Sequence, residues 1–246
     1  MLDTRTWRHL MSHDSAPEQY ETLIDLASEA PLLLEKSDAA ITSSTPNLSL
    51  LPGLLTVFHH LCAWQHAYKL SIAKPLYWAI PSRVHNPCDD THGSRLFPFA
   101  LEFSSLDSAI PFIFSSAVML QILSAALLLA EQQSMSSRQQ ETPPSSSDDD
   151  TPHWSGLDIK READRLARFL CQSMEYCFRH EMGTLGAQAT CLPLWATASY
   201  FRQVGMKREL EWCRQIKDMD GPGLRRRVER RVELMVRASE SGAWWW

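Results

Sequence analysis

The sequence predicts an all-α protein. Apolar residues recur at helical spacing along most of the chain. Glycines are few, nine in 246 residues, and no run of alternating β-branched residues marks a sheet. The expected architecture is an irregular multi-helix domain over residues 17–238, interrupted by a Ser/Asp/Pro-rich insertion over 132–156. Residues 1–16 and 239–246 read as flexible ends.

Taken in order, Tyr20, Leu23, Ile24 and Ala27, then Leu32, Leu33 and Leu34, repeat at helical spacing on either side of Pro31. Having no amide hydrogen, that proline ends or kinks the helix near Ala30. TSSTPN is a loop. In LPGLLTVFHHLCAWQHAYKL the residues Leu54, Val57, Phe58, Leu61, Trp64 and Tyr68 form one apolar stripe. Residues 79–98, AIPSRVHNPCDDTHGSRLFP, are broken by prolines and turn formers and read as an irregular connection.

From Asp107 to Glu131 runs DSAIPFIFSSAVMLQILSAALLLAE, with no charge between its two acids. Asp107 suits an N-cap or first turn, where a negative charge meets the positive end of the helix dipole. The interval is about as long as a bilayer span, for which roughly 20 apolar residues are needed. Pro111, Gln121, four serines and the lack of a basic flank or aromatic belt argue instead for the interior helix of a large all-α domain. The next stretch, QQSMSSRQQETPPSSSDDDTPHWSG, has almost nothing to bury, so disorder is expected there. Its aspartate triplet reads as a solvated loop, because a magnesium site needs ligands held by structure.

Asp158 opens a strongly amphipathic helix. Ile159, Ala163, Leu166, Ala167, Leu170, Met174, Cys177 and Phe178 fall on one face. Lys160, Glu162, Asp164, Arg165, Arg168 and Glu175 fall on the other. Gly183 and Gly186 make a turn, Pro193 suits the first turn of the following helix, and MKRELEWCRQIKDMD is a further short helix. In LRRRVERRVELMVRA, Leu224, Val228, Val232 and Met235 form a stripe. Glu229 and Glu233 interleave with the arginines, so the charged side reads as a solvated face rather than a nucleic-acid strip. No physical role is evident for Trp244, Trp245 and Trp246.

The totals narrow the classes. A formal net charge of −5 gives no whole-molecule attraction to nucleic acid or acidic lipid. Six dispersed cysteines do not form a disulfide framework, and MLDTRTWRHLMSHDSAPEQ has no apolar signal core. The expectation is an intracellular protein with reduced thiols, in nucleus or cytoplasm, without membrane contact.

Candidate chemistry is sparse. His59, Cys62 and His66 share a helix face, but one such group without a second ligand pair is a weak zinc signal. LCQSMEYCFRHEMGTLGAQATCLPLW, from Leu170 to Trp195, holds three cysteines. Cys171 and Cys177 are six apart, about 240° around a helix. With Cys191 and Cys213 they make no CxxC pair. His180 and Glu181 adjoin outside any HExxH, and no GxSxG, Walker or dinucleotide motif occurs. No catalytic, cofactor-binding or metal-binding residue is nominated, and an enzyme is the less expected outcome.

LFPFALEFSSLDSA, residues 96–109, leads into the long apolar helix. Beyond the insertion come EYC at 175–177, MGTLG at 182–186, PL at 193–194, YF at 200–201 and WC at 212–213. In order and spacing these pieces resemble the C-terminal regulatory domain of fungal zinc-binuclear-cluster transcription factors. PLYW at 75–78 and the helix Leu54 to Tyr68 also fit, so the resemblance covers about Glu21 to Met219. It implies an all-α regulatory domain making protein contacts, with Met174, Tyr176, Cys177 and Leu185 as packing and turn positions. That family reads DNA through six closely spaced cysteines near the N-terminus. Here the cysteines stand at 62, 88, 171, 177, 191 and 213, and no direct DNA binding is expected.

The resemblance implies a transcription-regulator-like protein without its own DNA-binding module, a modulator associated with fungal secondary-metabolite biosynthesis. Its expected partner is a full-length zinc-cluster regulator or a second copy, with a small-molecule effector as an open addition. The alternative is an accessory small-molecule-binding or biosynthetic protein of a metabolite gene cluster, for which the apolar helix and nine tryptophans would line a pocket.

Overall fold

A computed structural model describes residues 16–43, 49–139, 154–221, 223 and 224. The expected helix 224–238 beyond Leu224, Trp244 to Trp246 and the N-terminal residues before Ala16 lie outside the described residues. Among the described residues the fold is all-α with one small β-pair. Helix α1 (Ala16–Ser28) stops one residue before α2 (Ala30–Thr42). Pro31 stands in the first turn of α2, where its missing N–H costs nothing. Helix α3 (Leu50–Ser71) buries Leu54, Val57, Phe58, Leu61 and Trp64, the apolar stripe expected of it.

The long apolar segment is α5 (Leu106–Gln139), and it is the centre of the molecule. Asp107 lies in its first turn, and the Ser105 hydroxyl accepts from the Ser108 amide to satisfy that end. Length and composition would let α5 cross a membrane, but most of its apolar stretch is buried. The covering elements are α2, α3, α6 (Gly156–Cys177) and α8 (Cys191–Gln203). Ile113, Leu120, Ile122, Leu123 and Ala126 are almost wholly enclosed. Its buried serines are satisfied internally: Ser115 and Ser116 donate to the Phe112 carbonyl, and each accepts from Gln65 Nε2, at 2.8 and 2.9 Å.

Two sequence boundaries shift. Helix α5 continues through Gln139, eight residues into the segment expected to be disordered from 132. Gln, Met and Arg are good helix formers, and Gln132 Nε2 donates to the Ile41 carbonyl, tying that end of α5 to α2. At the far side Trp154 packs edge-on to Phe58 and His59, and Ser155 caps α6 in a capping box with Asp158. The expected loop between, residues 140–153 with the aspartate triplet, lies outside the described residues.

The stretch read as irregular holds order that the sequence reading missed. Strand β1 (Tyr77–Pro81) pairs antiparallel with β2 (Phe99–Phe103), Tyr77 facing Phe103 and Pro81 facing Phe99. A short helix α4 (Pro87–His92) sits between them. Asn86 caps it by accepting from the Cys88 amide, and Gly93 ends it in the left-handed conformation. After α6 come a 3-10 turn (His180–Met182), α7 (Gly183–Ala189), α8, α9 (Lys207–Arg214) and a closing 3-10 turn (Gln215–Asp218). The last described residues are tied back by His85 and Asp220, whose backbones exchange two hydrogen bonds.

Candidate functional site

Three of the segments singled out in the sequence, LEF, EYC and MGTLG, pack together. Strand β2 carries LEF and lies against α6. Glu102 of that strand and Arg179, just past α6, form a two-pronged ion pair at 2.8 and 2.6 Å. Both side chains are mostly buried, and the pairing raises the Arg179 pKa further. Phe103 packs against Tyr176 and Phe169, and Tyr77 of β1 joins them against Phe112. Burial pushes the Tyr176 phenol up to about 12.

Gly186 of α7 lies directly on the end of α6. A Cβ there would come within 2.4 Å of the Cys177 carbonyl oxygen. This close approach gives the second glycine of MGTLG its physical role. The first, Gly183, turns the chain at φ 58°. Met174, Tyr176 and Cys177 are core residues, whereas Leu185 is 40% exposed and lies outside the core.

Below the β-pair is a cleft of about 20 Å³ lined by Ser82, Asn86, Asp89, Cys171, Glu175 and Trp212, among others. Such a volume holds about one water. Glu175 is the residue that sequence reasoning misplaced. The helical wheel put it on the solvated face of α6, but it is 5% exposed. Its carboxylate accepts from Ser82 Oγ at 2.9 Å and from the Arg83 amide at 3.2 and 3.3 Å. Those donors belong to the chain leaving β1, a contact no local pattern encodes. Across the cleft Asn86 Nδ2 donates to the Trp212 carbonyl, and Trp212 packs edge-on against Phe97.

Three of the cysteines hold their protons tightly. Cys171 is buried and its pKa is raised well above the ordinary thiol value, first by burial and then by its hydrogen bond to Cys213. Burial alone pushes Cys177 up to about 12. Cys62 is pushed up to about 11, by burial and then by Glu162. Raised values suppress the thiolate that nucleophilic or metal chemistry requires. His59 and His66 are exposed on α3, and His180 and Glu181 are exposed on the 3-10 turn. Among the described residues no three or more His, Cys, Asp or Glu side chains gather as a metal would need. The site is therefore a packed junction of β2, α6, α7 and α9, with a charged pair at its edge and a water-sized cleft beneath.

The chain matches no known family, no curated protein and no solved structure.

Proposed function

We propose that the protein is a transcription-regulator-like, protein-contact domain without its own DNA-reading module, acting as a modulator of fungal secondary-metabolite genes. The observation that supports the reading is that three of the resembling segments, LEF, EYC and MGTLG, pack together. LEF and EYC are far apart in sequence, yet Phe103 packs on Tyr176, and Gly186 of MGTLG rests on Cys177 at the end of the same helix. In such a scaffold those residues are architecture, and function lies on the outer surface with a partner regulator.

The alternative small-molecule role draws less support. A metabolite pocket runs to roughly 300–1,000 Å³, far above the cleft beside Glu175. Deleting the gene and profiling transcripts, together with imaging a fluorescent fusion, tests the proposal. The expected result is nuclear signal and altered transcription of a confined set of biosynthetic genes. Unchanged transcripts together with exclusion from nuclei would contradict it.

A further inference from the structure

Strand β2 lies against α6, so β1 is the outer strand of the pair. The Ser82 amide donates to the Pro98 carbonyl, and the Ser104 amide donates to the Leu76 carbonyl. Backbone groups alternate sides along a strand. Residues 76, 78, 80 and 82 therefore face β2, and Tyr77, Ala79 and Pro81 turn theirs outward. Among the described residues no strand meets that outer edge. It offers the Tyr77 and Ala79 amides as donors and three carbonyls as acceptors. Pro81 occupies an outward position, the place on an edge where a missing N–H does not break the existing ladder. Trp78 beside this edge is 46% exposed.

Exposed cations cluster around the edge. Lys69, Lys74, Arg83 and Arg95 are exposed around the two ends of β1, and among the described residues none of the four is in an ion pair. Lys69 Nζ rests over the rings of Tyr77 and Phe112, at 5.4 and 4.8 Å, and Arg95 donates to the Ser82 carbonyl. The nearby carboxylates are largely engaged. Glu102 is held by Arg179, and buried Glu175 is held by Ser82 and Arg83. Asp107, at the start of α5, and Glu181, near Arg179, are exposed acids on this side.

We infer that the outer edge of β1 binds an extended acidic peptide from a partner protein, which adds as a third strand. Backbone hydrogen bonds to Tyr77 and Ala79 align the peptide, one of its apolar side chains covers Trp78, and acids at its ends meet the lysines and arginines. The inference rests on the strand edge and its charges, so it stands or falls apart from the regulatory reading above.

The test uses fluorescein-labelled DEDVTVTVEDE and measures anisotropy against the full chain. Two control peptides replace the acids by serine, or the central threonines by proline. Ala79→Pro removes one outward donor and leaves the β1–β2 ladder in place. The pair Lys74→Glu and Arg83→Glu reverses the rim. The expected result is saturable binding of the acidic peptide that weakens with salt, with each variant and each control losing about tenfold or more. If Ala79→Pro fails to fold, the charge-reversed variant and the serine peptide still decide. No saturable binding, or equal binding by the serine peptide, overturns the inference. So does a dimer in sedimentation that Ala79→Pro abolishes, since the occupant would then be a second copy.

Discussion

Gly186→Ala sets two effects of opposite sign against each other. Gly186 is within helix α7, and alanine in a helix interior is worth about 1 kcal/mol over glycine. On propensity alone the variant is more stable. The added methyl, however, meets the Cys177 carbonyl oxygen at 2.4 Å and Met182 Cβ at 2.6 Å. Ordinary contact lies about an ångström further out. One obstacle is backbone at the end of α6, so α7 must move rather than a side chain turn. Overpacking of this kind costs about 3 kcal/mol, leaving a net loss of about 2 kcal/mol. For a domain of this size that lowers Tm by about 4–8 °C. Thermal melting followed by circular dichroism at 222 nm measures it. Gly156→Ala is the control: the position opens α6 and nothing lies within 4 Å of the added methyl, so its Tm stays level or rises. An unchanged or higher Tm for Gly186→Ala would refute the close packing of α7 on α6.

Three further outcomes follow from the same structure. Glu102→Gln leaves Arg179 without its charged partner in a mostly buried place; the loss is about 2–3 kcal/mol, and a double-mutant cycle with Arg179→Met reads the coupling between them. Ser155→Ala removes the hydroxyl that accepts from the Asp158 amide and costs about 1 kcal/mol in urea denaturation. The raised values at Cys62 (about 11), Cys177, Tyr68 and Tyr176 (each about 12) favour the neutral forms in the folded state. Their contribution is whole below the unfolded values, 9.0 for the thiols and 10.0 for the phenols, and is lost as pH climbs through the folded values. Urea midpoints therefore fall between pH 9 and pH 12, and a midpoint that holds or rises across that window contradicts the assignment.

Much of the helical frame was legible because its signals are local. The stripe on α3, the turn at Pro31 and the opening of α6 before Ile159 each sit within a few residues of sequence. The β-pair was not legible. Tyr77 to Pro81 contains a proline and follows Lys74-Pro75, so it reads as loop; it is a strand because Tyr77 and Phe103 meet over Phe112 and Phe169. Glu175 was misplaced for a related reason. A helical wheel assigns faces without knowing what packs against them, and here the chain after β1 brings an amide and a hydroxyl to a carboxylate. The reach of α5 beyond Gln132 was hidden by polar composition, which marks exposure as much as disorder. Of the candidate site, the order of the resembling segments was visible in advance, whereas the pairing of Glu102 with Arg179 and the packing of Phe103 on Tyr176 required the fold.

The proposed role requires this helical scaffold to make contact with a regulator. The most direct measurement is purification of the tagged chain from cells of the source organism, with co-purifying proteins identified by mass spectrometry and the interaction repeated with purified components. The expected result is recovery of a zinc-cluster regulator whose binding persists with the purified pair. Folded, soluble chain that recovers no regulator, and binds none when candidates are supplied, would contradict it.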